Sequence, residues 1–114
     1  MDRKDTAILL AGFGAPERPE DIAEFLSRVA SGRDIPASRL EESASHYREL
    51  GGSPYNASVR EQAEALIDEF RHRGIDLPVY AGMRLWNPSL LKTIRKMSDD
   101  GVRRAALIVL TPHA

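Results

Sequence analysis

Four short segments of this chain carry side chains that could do chemistry, each interrupted by glycine or proline. They are Gly12-Phe13-Gly14-Ala15-Pro16, Gly51-Gly52-Ser53-Pro54, Met83-Arg84-Leu85-Trp86-Asn87-Pro88 and Thr111-Pro112-His113. Together they offer an aromatic face, cations, one imidazole and exposed backbone N–H groups. That mix suits a flat apolar ligand with anionic edges. Each segment also has a plainer reading. Glycines after a strand make turns regardless of ligand, and Phe13 would serve a core equally well. His113 follows a proline at a strand end, where an isolated histidine is more often structural than a ligand. His46 and His72 lie among charged neighbours and read as solvated. Arg103-Arg104 and Glu41-Glu42 read as surface charge.

Several chemistries are excluded. The third glycine and the downstream acid of a dinucleotide-binding fingerprint are not where that motif requires them. There is no Gly-x-Ser-x-Gly, Walker lysine, His-Glu-x-x-His or clustered histidine–carboxylate spacing. The 114 residues contain no cysteine, which removes disulfides, thiolate nucleophiles and Cys-type metal sites. The net charge of −1 gives no global basic field for nucleic acid. Hydrophobic residues make up 42% and charged residues 29%, an ordinary globular composition. The apolar run Ala7 to Ala11 is too short for a signal sequence or a transmembrane segment. The expectation is a cytoplasmic location with no nucleic-acid partner.

The segments must be positioned by elements that the apolar pattern reveals. Thr6 to Ala11 is continuously apolar, as in a strand buried on both faces. Pro19-Glu20-Asp21 opens a helix with Ile22, Phe25, Leu26 and Val29 on its stripe. A second helix follows Pro36-Ala37-Ser38 and breaks at Gly51-Gly52. A third runs from about Asn56 to Arg73 with Val59, Ala63, Leu66, Ile67 and Phe70 inward, and Gly74 suits its C-terminal cap. Leu77 to Met83 is a second strand. A fourth helix begins at Asn87-Pro88-Ser89 with Leu90, Leu91, Ile94 and Met97 inward. Ala105 to Leu110 is a third strand. The order β-α-α-α-β-α-β predicts an α/β fold, an open parallel sheet with helices on both faces, in one domain over residues 1–114. Ligands of such sheets bind beyond the carboxyl ends of the strands, where the first, third and fourth segments arrive. A last strand left without a following helix predicts part of a longer chain, or a unit completed by association.

Read as ordered blocks, these segments resemble the ferrochelatase family. The blocks are Leu9 to Pro16 with Pro19-Glu20-Asp21-Ile22, Gly32-Arg33, His46-Tyr47-Arg48-Glu49-Leu50-Gly51-Gly52-Ser53-Pro54, Gln62-Ala63 with Leu66, Val79 to Arg84, and Asp100-Gly101-Val102 leading into Leu110-Thr111-Pro112-His113. The similarity covers essentially all of the chain and corresponds to the first part of a typical, considerably longer ferrochelatase. The resemblance implies a two-lobed flavodoxin-like or chelatase-like fold holding a porphyrin between lobes. Ferrous iron enters as two pyrrole protons leave. Porphyrin and ferrous iron are then substrates, and no tightly bound cofactor is implied. By the same resemblance Phe13 faces the macrocycle, Ser53 binds a propionate, and Arg33 and Arg84 match basic residues of the family. His46 stands where a propionate-binding arginine is usual, and His113 matches a strand-end Pro-His and is the candidate metal contact.

Three departures accompany the match. Ala30-Ser31 replaces a basic pair, the block before Ser53 is one residue short, and the family's essential histidine and glutamate belong to a second lobe. No catalytic residue is therefore assigned in this chain, and alone it is expected to contribute porphyrin contacts only. Its expected partners are porphyrin and either the missing C-terminal lobe or a second copy. The alternative is a half-length, homodimeric tetrapyrrole-binding module without iron insertion, for which small cobalt and nickel chelatases set a precedent. An unrelated flavodoxin-like domain holding phosphate at Gly12–Gly14 fits fewer of the blocks.

Overall fold

The most continuously apolar stretch of the chain takes the centre of the sheet. In the computed structural model, which describes residues 5–110, β1 (Thr6–Gly12) lies between β2 (Val79–Met83) and β3 (Arg104–Leu110), in the order β2-β1-β3. Both pairings are parallel, with Ile8 opposite Val79 on one side and Gly12 opposite Leu110 on the other. A 3-10 turn (Pro19–Asp21), α1 (Ile22–Ala30), α2 (Ala37–Leu50) and α3 (Tyr55–His72) follow β1, and α4 (Leu90–Asp99) joins β2 to β3. No helix among the described residues is long and apolar enough to cross a membrane.

Two apolar clusters flank the sheet, and β1 contributes Ala7 and Leu9 to one of them. Ala7 and Leu9 pack with Met97 of α4, and with Tyr80, Leu90 and Val102. On the other face Val59 of α3 joins Phe25, Met83 and Trp86. Helices therefore lie on both faces, as the apolar pattern predicts. α3 ends as expected: Gly74 adopts a φ of 70°, and the Ile75 amide reaches back to the Phe70 carbonyl at 2.8 Å.

One inward stripe differs from the expected one. On α4, Leu91 and Ile94 are exposed at 60% and 49%, and Thr93 is buried between Leu90 and Met97. The reason is the strand beneath. A Cβ on Gly82 would sit 2.7 Å from the Thr93 hydroxyl oxygen, so the helix comes too close for a larger residue. The hydroxyl donates to the Ser89 carbonyl at 2.9 Å or the Ala81 carbonyl at 3.3 Å. β3 agrees with the expectation of a last strand left uncovered: Leu107, Ile108 and Val109 are 59%, 42% and 64% exposed. β3 is an edge strand whose only strand neighbour among the described residues is β1, and α3 reaches it at its end, where Tyr55 meets Leu110.

The free edge on the other side is fastened differently. Tyr80 of β2 donates its hydroxyl to the Asp100 carboxylate at 2.8 Å, and Lys96 also reaches that carboxylate. Desolvation, then this hydrogen bond, raises the Tyr80 phenol above its ordinary 10.0, and the same bond lowers Asp100 below 3.8. A raised phenol contributes stability below 10.0 that is lost as pH climbs through its folded value; a lowered carboxyl contributes above 3.8 and loses it as pH falls through its folded value. Tyr80→Phe should therefore lower the melting temperature between those limits, with the difference from the parent vanishing at both extremes. Thermal unfolding followed across pH checks this.

Candidate functional site

At the carboxyl end of β1 the chain turns through Gly12-Phe13-Gly14-Ala15-Pro16, and apart from the half-buried Phe13 every residue of that turn is buried. Buried peptide groups need partners. Asn56, fully buried in the first turn of α3, supplies them: its carboxamide oxygen accepts from the Ala15 N–H at 3.0 Å, and its amide donates to the Ala15 carbonyl at 2.7 Å. Tyr55 beside it accepts from the Phe13 N–H at 3.0 Å and donates to the Leu110 carbonyl at 2.7 Å. The glycine-rich segment before α3 is drawn to the same place. Ser53 N–H donates to the Pro16 carbonyl at 2.8 Å, and Gly52, with a φ of 110°, lies against the Glu17 carbonyl where any Cβ would collide.

The loop after β2 docks on the other side. Arg84 N–H donates to the Gly12 carbonyl and Leu85 N–H to the Phe13 carbonyl, both at 2.9 Å. Trp86 is buried below, and the Asn87–Pro88 peptide is cis. Phe25 of α1 holds the aromatic side chains together, meeting Phe13, Tyr47 and Trp86 edge-on at centroid distances of 6.5, 5.8 and 6.2 Å. Such geometry aligns ring edges with ring faces. Arg28 closes the arrangement: its guanidinium stands 4.7 Å over the Trp86 ring and also pairs with Glu24 at 2.7 Å. Partial burial raises the Tyr47 phenol above its ordinary value.

The six residues singled out in the sequence are not equally placed. Phe13, Ser53 and Arg84 come together at the carboxyl edge of the sheet through the backbone bonds above. Arg84 is exposed, and among the described residues its guanidinium makes no ion pair or hydrogen bond. Ser53 already accepts from the Tyr55 N–H at 3.2 Å and keeps its own hydroxyl proton to donate. Arg33 is exposed in the segment between α1 and α2 and is likewise unpaired among the described residues. His46 is exposed on α2 and reaches the cluster only through Tyr47, whose ring is 6.4 Å away. Thr111, Pro112 and His113 lie outside the described residues. Among those described, no group of three or more histidines and carboxylates could hold a metal ion.

Sequence reasoning missed Tyr55, Asn56 and Arg28. Nothing local marks them, because their partners lie 42, 41 and 57 positions away. This arrangement can present an aromatic ring and free cations to a flat, anionic ligand. It holds no described base poised for proton transfer.

Asn56→Ala should cost about 3 kcal/mol, since it leaves a buried N–H and a buried carbonyl unsatisfied. Arg60→Ala loses only an exposed pair with Glu17 and should shift stability by less than about 0.5 kcal/mol. Urea unfolding of both variants, with the slope unchanged, measures the contrast.

Comparison with known proteins places this geometry. The ferrochelatase family profile matches residues 5–114. A coproporphyrin III ferrochelatase of Mycolicibacterium smegmatis is 48% identical over 102 residues, covering 89% of this chain and 30% of its own length. One from Streptomyces griseus is 45% identical over 109 residues, 95% of this chain and 29% of its own. One from Frankia alni is 50% identical over 104 residues, 90% of this chain and 26% of its own. This chain thus spans under a third of the relatives it matches. With the parallel sheet, the Gly-Gly-Ser-Pro turn packed on the first strand's end and the match along nearly every residue, the chain belongs to the ferrochelatase family.

Proposed function

We propose that the protein to which this chain belongs inserts ferrous iron into coproporphyrin III, and that this chain supplies one wall of the porphyrin site. The substrate is taken from the names of the relatives, which agree on it. The supporting geometry is the seating of Phe13 and Arg84 on adjoining strand ends, where Arg84 N–H donates to Gly12 and Leu85 N–H to Phe13. Phe13 and the exposed Arg84, whose guanidinium has no partner among the described residues, thus sit at neighbouring strand ends. The ring can lie against the macrocycle while Arg84, Arg33, Ser53 and, less directly, His46 receive its carboxylates. A cytoplasmic setting and the absence of a tightly held cofactor belong to the same proposal.

Insertion exchanges two pyrrole N–H bonds for iron–nitrogen bonds and releases two protons, so a base must accept them. The described part of this chain offers only His46 and His72 as imidazoles, both exposed on helices. His113 enters the proposal as a contact for the incoming iron, and the proton acceptor is assigned to the rest of the protein. Exposed charge pairs contribute about 0–1 kcal/mol each, so the isolated chain binds porphyrin weakly.

Titration of this chain with coproporphyrin III should give weak, saturable binding. Phe13→Ala and Arg84→Ala should each weaken it by about two- to tenfold. Arg71→Ala, at the far end of α3, should leave it unchanged. An anaerobic assay with ferrous iron should show no turnover. Sustained turnover abolished by His113→Ala would move the catalytic role into this chain.

The exposed β3 supports an assembly proposal. In the whole protein the remaining two thirds or more of the polypeptide covers this strand; in the isolated chain a second copy does so, since free apolar edges associate. Sedimentation of the isolated chain should show a concentration-dependent dimer. Leu107→Glu should return it to a monomer with little change in stability, because that side chain is 59% exposed. A parent chain that stays monomeric at high concentration refutes the second-copy assembly.

A further inference from the structure

The pairing of β1 with β3 runs unbroken from Thr6 opposite Arg104 to Gly12 opposite Leu110, and a side chain takes over at its end. In a parallel pair each participating residue sends its N–H to the residue before its partner. With Gly12 opposite Leu110, one further step of the same pattern would send the Phe13 N–H to the Leu110 carbonyl directly. That bond is not made. The Tyr55 hydroxyl stands between the two groups, accepting from Phe13 N–H at 3.0 Å and donating to the Leu110 carbonyl at 2.7 Å. The phenol gets there by lying across Gly12, where a Cβ would come within 3.0 Å of its oxygen and 2.8 Å of the Met83 sulfur. The Tyr55 hydroxyl thus bridges the two strand ends at the edge where the site lies, and both part-buried groups have a partner.

We propose that Tyr55 is a positioning residue that sets the presentation of Phe13 to the porphyrin by wedging its hydroxyl between the ends of β1 and β3. This rests on the reading of Phe13 as a porphyrin contact. Both polar groups of Phe13's backbone are occupied, the N–H by Tyr55 and the carbonyl by the Leu85 N–H at 2.9 Å. With the backbone held on both sides and the ring edge-on to Phe25 at 6.5 Å, the orientation of the side chain is defined before any ligand arrives. Tyr55 also ties that orientation to the end of β3. Whatever moves the Leu110 carbonyl moves the hydroxyl, and with it the Phe13 amide.

The test is a double-mutant cycle on the 114-residue chain with coproporphyrin III as the probe. Tyr55→Phe should weaken binding by about three- to tenfold in the parent background and by less than about twofold when Phe13 is already alanine. Its effect on melting temperature should be the same in both backgrounds. Amide exchange supplies an independent readout. The Phe13 amide should exchange faster in Tyr55→Phe, while the Ala15 amide, held separately by Asn56, should keep its rate. Equal loss of affinity in both backgrounds overturns the positioning role, as does a Phe13 amide whose exchange is unchanged or slowed. If Phe13→Ala binds porphyrin as well as the parent, or the parent shows no saturable binding, the porphyrin reading of Phe13 falls. The exchange rates alone then decide whether Tyr55 fixes that residue.

Discussion

A chain that leaves the carboxyl end of a buried central strand must carry its peptide groups through a region without water. At Ala15 that constraint is met by one side chain from a distant element. Asn56 mimics a strand neighbour for Ala15, accepting from its N–H and donating to its carbonyl. The pairing is fully buried, so breaking it exposes nothing to solvent and leaves two polar groups unsatisfied. It therefore fixes where α3 begins relative to β1. Because α3 begins there, the turn before it must pass close to the segment after Pro16. That passage is why Gly52 carries no Cβ and why Ser53 comes within hydrogen-bond reach of Pro16. The adjacency of Phe13 and Ser53, 40 positions apart in sequence, follows from satisfying Ala15.

The aromatic cluster builds on that frame. Phe25 alone touches three other rings, so α1, α2 and the loop after β2 share one packing centre. Only some of these rings are buried: Phe25 and Trp86 are covered, while Phe13 and Tyr47 keep exposed surface. Charges are divided in the same way. Arg18, Arg28, Arg48, Arg60 and Arg73 are paired with carboxylates. Arg33 and Arg84, beyond the helix and strand ends, have no carboxylate among the described residues. A guanidinium without an internal partner among the described residues, such as that of Arg84 beside the Phe13 segment, is available to an anionic ligand, since no such pair has to be broken first.

How far the sequence discloses this depends on whether a feature is local. Continuous apolarity identifies β1, and spacing with Gly74 identifies α3, because burial on two faces and helix capping act on neighbouring residues. The stripe on α4 misleads because apolar spacing admits two rotations of the helix. Gly82, on another element, selects the one that turns Thr93 inward and leaves Leu91 and Ile94 in solvent. The composition of β3 resembles that of β1, but position at the sheet edge rather than composition sets its exposure. At the site, Phe13, Ser53 and Arg84 are legible as segments with unusual turn chemistry. Tyr55 and Asn56 are not, since an ordinary Tyr-Asn at a helix start announces nothing about a turn 41 residues earlier.

Tyr55 and β3 connect the site to the rest of the sheet. An edge strand with Leu107, Ile108 and Val109 in solvent gains from any surface that covers it, and covering it restrains the strand along its length. The end of that strand is the Leu110 carbonyl, to which the Tyr55 hydroxyl is bonded. Through one hydroxyl, therefore, the order of β3 is felt by the Phe13 amide, with no rearrangement of the core needed to transmit it. The proposed covering of β3 and the proposed porphyrin contact at Phe13 therefore meet at the Tyr55 hydroxyl. Among the described residues β1 is the strand's only strand neighbour, and the turn at Phe13 is held as well by the Asn56 and Leu85 contacts on its other side. Tyr55 is the contact that joins these two supports, since its hydroxyl meets both the Phe13 amide and the Leu110 carbonyl.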